Sequence, residues 1–376
     1  MPRPISATIS LSSLRHNLEN VAQRLAFGGA ASAQQPPRIW AVIKANAYGH
    51  GIDNAVRAFA GADGLAMLDL NEAVRCREAG WDKPILLLEG FFEPADLDVL
   101  DDYRLTTTLH CQEQFDMLAA FRPRAPLDAF VKLNSGMNRL GFAPGAYRDA
   151  YEQARSAQQQ GVLGRVGKMT HFARADDDAA VTRKQLDTFA EATRDLPGPV
   201  SVCNSAATLT PELWTSCEPG AEQWVRPGIC LYGSSPFARQ TPAQLGLRPA
   251  MTLAARLISV RNIGPGEAIG YGHRFASSQP MRIGVVSCGY ADGYPRHAGT
   301  GTPITVAGVR TRTLGRVSMD MLVADLSPVP DAQVGAPVVL WGEGGPSVDE
   351  VAVAAGTIGY ELLCAVAPRV QKITIE

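Results

Sequence analysis

The chain has 376 residues, too many for one ordinary domain and enough for an α/β barrel of about 250 residues followed by a second domain. Hydrophobic residues make up 46% and charged residues 19%, a globular mix without the signature of disorder, and a net charge of -2 gives no ground for a nucleic-acid partner. No window offers the ~18 uncharged apolar residues of a membrane span, Met1 to Ser6 has no apolar signal core, and the seven cysteines lack a close pair, so a soluble, cytoplasmic chain with reduced thiols and no metal is expected.

After an extended start, Leu11, Leu14, Leu18, Val21 and Leu25 recur at helical spacing, with Ser12 or Ser13 available as a cap, and Gly28 to Pro37 suits a surface loop. The next stretch, Ala41-Val42-Ile43-Lys44-Ala45-Asn46-Ala47-Tyr48-Gly49-His50-Gly51, places a lysine at the end of an apolar run and then breaks at glycines. Strand alternation would put Val42 and Lys44 on one face, carrying an ammonium toward the interior. Such a lysine either snorkels to water or is a buried nucleophile of lowered pKa, the condition for a Schiff base with an aldehyde.

Apolar runs and helix-length gaps then alternate: Ile39 to Ala45, Gly64 to Leu70, Pro84 to Gly90, Leu105 to His110, Ala129 to Asn134, Val166 to Phe172, Val200 to Asn204 and Trp224 to Tyr232. These eight runs are the number a closed (β/α)₈ TIM barrel needs. An open doubly wound sheet also alternates, but no Gly-x-Gly-x-x-Gly follows the first run, which ranks it second. Near Leu247-Arg248-Pro249 the pattern changes to β-rich runs, Met251 to Val260, Arg282 to Cys288, Ile304 to Val309, Val317 to Leu326 and Val338 to Trp341. A helical stretch, Val348 to Ala367, broken at Gly356 and Gly359, precedes a last strand, Val370 to Ile375. A barrel over 1–246 and a mainly-β domain over 247–376 are expected, with the first ten or so residues free to pack on the second domain.

In a barrel, catalytic groups gather at the C-terminal ends of strands. Lys44, Lys132, Asn134, His171, Asn204, Ser205, Arg226 and Gly228 all fall at such ends. Singly each has a structural explanation; it is their convergence on one rim that points to a site. Asp176-Asp177-Asp178 lacks the spacing of a calcium loop and reads as a solvated turn, and Gly342-Glu343-Gly344-Gly345 lacks the following Lys of a phosphate loop.

The lysine stretch closely resembles the pyridoxal-phosphate lysine motif of alanine racemases. The resemblance extends through 132–141 (Lys-Leu-Asn-Ser-Gly-Met-Asn-Arg-Leu-Gly), His171-Phe172-Ala173, Asn204-Ser205-Ala206-Ala207-Thr208, Val225-Arg226-Pro227-Gly228-Ile229, Gly270-Tyr271-Gly272, 289–296 and Ser318-Met319-Asp320. It implies an isomerase that interconverts L- and D-alanine and serves D-alanine and peptidoglycan metabolism. Position by position, it implies that Lys44 is the Schiff-base lysine and one of two acid/base groups. Tyr48, Ser205, Gly228, Ile229 and Tyr360 are similar to phosphate-binding residues, with Asn204 beside them. Arg226 resembles the arginine facing the pyridine nitrogen, His171 its link to the tyrosine base, and Tyr271 that base. Arg139 and the backbone of Met319 resemble the groups that hold the substrate carboxylate, and Lys132 resembles a lysine often carbamylated.

Racemisation moves a proton between opposite faces of the α-carbon, so the second base must face Lys44, and a homodimer with composite active sites is expected. Ser318 and Gly359 depart from the cysteine and asparagine of several relatives. A broader-specificity racemase and a barrel-type decarboxylase remain alternatives, as does a non-catalytic cofactor carrier, against which Tyr271 in the second domain argues.

Overall fold

The computed structural model describes residues 3–32, 35–217 and 220–376. Strand β1 (Ile5–Ser10) buries Ile5, Ala7 and Ile9, the period of a strand with one core face. The helix Leu11–Ser32 follows without a loop, so the last strand residue caps it: Ser10 Oγ accepts the Ser13 N–H at 3.1 Å. This corrects the expected cap at Ser12 or Ser13. The helix also continues through Gly28, where a loop was expected to begin. Ala26, Ala30 and Ala31 favour helix, and Gly28 lies so close to the Trp214 ring that a Cβ would come within 2.6 Å of it. Residues 33 and 34 of that expected loop lie outside the described residues.

Strands β2 (Arg38–Val42), β3 (Gly64–Met67), β4 (Ile85–Leu87), β5 (Thr107–Leu109), β6 (Leu127–Lys132), β7 (Leu163–Met169), β8 (Val200–Ser201) and β9 (Trp224–Val225) overlap the eight expected runs. Their pairs are all parallel, in the orders β4-β3-β2-β9 and β5-β6-β7-β8. Parallel bridges between Leu86 and Thr106 and between Val200 and Gln223 join the two quartets into a closed ring, which excludes the open sheet. Leu65, Met67, Ile85, Leu86 and Leu87 are fully buried, as expected of strands covered on both faces.

The second unit is antiparallel and β-rich. β10 (Met251–Ile263) is its spine, followed by β11 (Ala268–Ile269), β12 (Phe275–Ala276), β13 (Met281–Val286), β14 (Pro303–Val306), β15 (Val309–Leu314), β16 (Leu322–Asp325), β17 (Pro337–Trp341) and β18 (Gln371–Ile375). The early part of β10 pairs with β1 and β17, and beyond an irregularity between Leu257 and Ser259 it pairs with β13. β1 is sandwiched between β10, antiparallel, and β18, parallel, so the start of the chain belongs to this sheet. Asp292, wholly buried, accepts Arg3 Nη1 at 2.8 Å and Arg369 Nε at 2.7 Å and ties the flanks of β1 and β18 together.

Two runs differ from expectation. Ile304 to Val309 is strand only as far as Val306, in β14; Ala307 and Gly308, with positive φ (47° and 83°), turn the chain into the returning strand of a hairpin. The returning strand β15 went unseen because Arg310 and Arg312 interrupt its apolar pattern; they form its solvent face, while Thr311 and Thr313 are buried. Within Val317 to Leu326 only Leu322–Asp325 is strand; Ser318 and Met319 turn their carbonyls to the N–H groups of Tyr290 and Ala291 at 3.0 and 2.9 Å. The helical stretch divides at the expected glycines into Val348–Ala355 and Gly359–Ala365. Asp178 caps the helix Ala179–Ala192, Asp177 pairs with Arg174, and Gly345 closes a turn on Gly342, all in line with the structural readings. Among the described residues, no helix is long and apolar enough to cross a membrane.

Because Ile9 is fully buried in a strand paired on both sides, Ile9→Ala is expected to lower stability by about 2–5 kcal/mol. Urea unfolding of the two proteins measures this, and a loss under about 1 kcal/mol would count against β1 as a core strand.

Candidate active site

The C-terminal rim of the barrel carries the reactive residues because each follows closely on a strand end. Lys44 lies two residues beyond β2, Lys132 ends β6, His171 lies two beyond β7, and Arg226 directly follows β9. They converge on a cavity of ≈150 Å³. Lys44, Tyr48, Lys132, Arg139, His171, Asn204, Ser205, Arg226, Gly228 and Tyr360 all line it. Ile229 does not, but it follows Gly228, which does, and begins the 3₁₀ turn Ile229–Tyr232. Tyr271 and Met319 are not brought to this cavity within one chain. Tyr271 is 73% exposed on the turn Tyr271–His273, and Met319 is 54% exposed.

Lys44 is not the last residue of a strand, as alternation had suggested. β2 stops at Val42, and Ala45, Asn46, Ala47 and Tyr48 have φ of 55, 51, 55 and 50°, a left-handed turn built of residues with side chains. Each costs about 1–2 kcal/mol relative to the right-handed form, so neighbours must hold the turn. The Asn46 N–H donates to Glu72 Oε1 at 2.5 Å, and Asn46 Oδ1 accepts the Ile52 N–H at 3.1 Å. His50, fully buried, places Nδ1 2.9 Å from the Tyr48 carbonyl and 3.1 Å from that of Ala47. Two carbonyls can only accept, so Nδ1 carries the proton. Burial pushes the imidazole pKa down to about 4, so the ring stays neutral near pH 7. His50 was quoted in the sequence motif without a role; a polar residue inside a glycine-flanked turn was the available signal.

Burial, then Arg139, lowers the pKa of Lys44, with Glu89 opposing. Lys132 is pushed down to about 8 by burial, then by Arg226 and Arg139. Arg226 is buried; its Nη1 donates to Ser201 Oγ and its Nη2 to the Thr170 carbonyl, both at 2.6 Å. Arg226 Nη2 also faces His171 Nδ1 at 3.3 Å. A guanidinium only donates, so His171 Nδ1 must be bare and Nε2 carries the proton. Burial, then Arg226, holds His171 well below its usual pKa, which keeps this tautomer neutral.

Tyr48 and Tyr360 have pKa values raised by burial and remain donors. With Ser205 Oγ, 2.8 Å from the Gly228 N–H, they form a cradle of neutral donors suited to a dianion. A Cβ on Gly228 would sit 2.5 Å from the Tyr48 hydroxyl, so the cradle admits only glycine there. A phosphorylated aldehyde fits these residues: donors for its phosphate, a lysine of lowered pKa for its carbonyl and a buried guanidinium for an acceptor ring nitrogen. Glu89, the sole carboxylate among the described lining residues, was missed although it lies on the same rim, two residues past β4.

Residues 9–236 match the family profile described as "Alanine racemase, N-terminal domain", and residues 250–374 match "Alanine racemase, C-terminal domain". The chain is 65% identical to the alanine racemase of Bordetella avium (strain 197N), over 98% of both chains. It is 62% identical to that of Bordetella petrii, again over 98% of both. Among solved structures, the biosynthetic alanine racemase of Pseudomonas aeruginosa superposes with a TM-score of 0.91 at 44% identity, covering 100% of each chain. That of Acinetobacter baumannii superposes with a TM-score of 0.88 at 35% identity, covering 99% of this chain and 100% of the other. With both domain profiles matched in order and likeness along the whole length, the chain belongs to the alanine racemase family of isomerases.

Proposed function

We propose that this chain interconverts L- and D-alanine with pyridoxal 5'-phosphate, as a cytoplasmic homodimer with composite active sites that supplies or consumes D-alanine for peptidoglycan. The observation that carries the reading is the convergence on one cavity of Lys44, a neutral hydroxyl cradle and the buried Arg226–His171 pair. We divide the chain into a barrel over 1–246 and a β domain over 247–376, with β1 packed on the latter.

When bound, the cofactor supplies an aldehyde that joins an amine and a ring that withdraws electrons from the α-carbon. Lys44 holds it and serves as the acid/base group on one face. Tyr48, Ser205 and Tyr360 donate to the phosphate along with the Gly228 and Ile229 N–H groups, and Asn204 flanks them. Arg226 donates to the ring nitrogen and, because it cannot give up its proton, leaves that nitrogen unprotonated, which limits side reactions such as transamination. Tyr271 of a second chain acts on the opposite face. The Nε2–H of His171 donates to its oxygen and so links it to Arg226. Arg139 and the Met319 N–H hold the substrate carboxylate.

Lys132 carries a carbamate, formed when neutral Nζ adds to carbon dioxide and one proton leaves. Its position beside Arg226 and Arg139 supports this, since an anion there separates cations that otherwise repel. Arg226 at the ring nitrogen and Gly270-Tyr271-Gly272 in the second unit favour racemisation over decarboxylation.

Three outcomes test the reading. Lys44→Ala should lose covalent capture of pyridoxal phosphate by borohydride, seen as peptide mass, and should lose L-alanine racemisation at least about 100-fold. Full turnover without capture would refute the lysine's role. Carbon-13 bicarbonate should label Lys132, and the label should increase as pH rises through about 8, because only the neutral amine reacts; a bare ammonium across that range would overturn the carbamate. Mixing inactive Lys44→Ala chains with inactive Tyr271→Phe chains should restore activity, since a mixed dimer contains one intact site. If chain exchange is verified and no activity returns, Tyr271 does not act across an interface.

A further inference from the structure

The donors of the phosphate cradle come from both units of the chain. Gly228 and Ile229 lie after the last barrel strand, whereas Tyr360 is on the helix Gly359–Ala365 of the second unit. Their separation therefore depends on how the two units are held together, and one carboxylate sits at that junction. Asp349 accepts the Ser234 hydroxyl on one oxygen and the Ser235 N–H, at 2.9 Å, on the other. Ser234 follows Gly233, which closes the 3₁₀ turn Ile229–Tyr232 started by Gly228. The barrel end of the contact is thus a continuation of the segment that offers the backbone donors.

The other end is equally close to a donor. A Cβ built on Gly359 would lie 2.6 Å from Ser234 Oγ and 2.8 Å from Asp349 Oδ1. The serine–aspartate pair occupies the space a side chain at 359 would need, and Tyr360 is the next residue. Asp349 itself is on a fixed base. It sits in the first turn of the helix Val348–Ala355, where Ser347 Oγ accepts the Glu350 N–H at 3.1 Å and Glu350 accepts the Ser347 N–H at 2.8 Å. A carboxylate in a first turn is also favoured by the helix dipole. None of Ser234, Asp349 and Gly359 lines the Lys44 cavity, so the group acts on it only through the residues it holds.

We propose that Asp349, clasping Ser234 and Ser235 beneath Gly359, is a positioning residue for the cofactor phosphate: it sets the distance between the Gly228–Ile229 donors and the Tyr360 hydroxyl. This rests on the assignment of those groups to the phosphate. It also accounts for glycine at 359, because the clasp fills the volume a side chain there would need.

The test compares pyridoxal 5'-phosphate with pyridoxal, which lacks the phosphate, by titrating full-length chains stripped of cofactor. Asp349→Leu removes the clasp and should weaken the phosphorylated ligand about 10- to 100-fold relative to pyridoxal, the loss of hydrogen bonds to a charged group being felt only where the phosphate is held. Asp349→Asn keeps an acceptor for the Ser235 N–H and a donor for Ser234 Oγ, and should restore the ratio. Ser234→Ala and Gly359→Ala test the same clasp by milder changes and should lower the ratio in the same direction if Asp349→Leu does not fold. Equal loss of both ligands would make the clasp a general staple and overturn the proposal, as would an unchanged ratio in the milder variants. Tyr360→Phe and Ser205→Ala separate the two layers. If they leave the ratio intact, the phosphate assignment fails; if they lower it and the clasp variants do not, only the role of Asp349 fails.

Discussion

Everything at this site depends on a backbone turn that L-amino acids disfavour. Four successive residues with side chains, Ala45 to Tyr48, are left-handed, at a cost of roughly 4–8 kcal/mol, comparable to the whole net stability of a typical domain. Such a turn exists only where its surroundings over-determine it. The barrel supplies Ile43, whose carbonyl accepts the Ala47 N–H at 2.8 Å, and Glu72, which holds Asn46. The second unit closes over the turn from above: a Cβ on Gly49 would stand 2.2 Å from the Leu363 carbonyl. The turn brings Lys44 and Tyr48 to the same cavity, closer together than an extended strand would leave them.

The second constraint is charge. Among the described lining residues, Lys44, Lys132, Arg139 and Arg226 face one carboxylate, Glu89. A small, partly dry cavity with that balance depresses lysine pKa values and draws in anions, both of which suit a phosphate, a substrate carboxylate and a nucleophilic amine. It also fixes direction. Arg226 imposes the tautomer of His171, so a buried guanidinium in the cavity wall decides which imidazole nitrogen carries the proton.

Much of this was legible in the sequence because the barrel repeats one signal: a short apolar run with polar residues at its C-terminal end. That signal located eight strands and seven of the residues that line the cavity, whereas Tyr48, Arg139 and Tyr360 were reached only through the resemblance. It failed where local pattern gives way to long-range contact. The end of β2 was misplaced because nothing in Ile43-Lys44-Ala45 announces left-handed backbone, which is imposed by Glu72 and His50. The first helix outran its expected end because Trp214, far along the chain, packs on Gly28. β15 was hidden because its outward arginines are those of a strand with one wet face. Glu89 was overlooked because no motif frames it, although its rim position was the same clue that identified Lys132.

The placement of β1 has a consequence for how the protein is made. Ile5–Ser10 is translated long before its partners β10 and β18, and Arg3 and Arg369 come together on Asp292 and Asp320. At a synthesis rate of about 5–20 residues per second, this strand waits roughly 20–70 s for β18. During that interval the barrel can close while an apolar strand edge hangs from its first helix, open to mispairing with a neighbouring nascent chain. Strand β18 thus acts as a latch on β1, and the sheet cannot complete its native pairing until Gln371–Ile375 has left the ribosome.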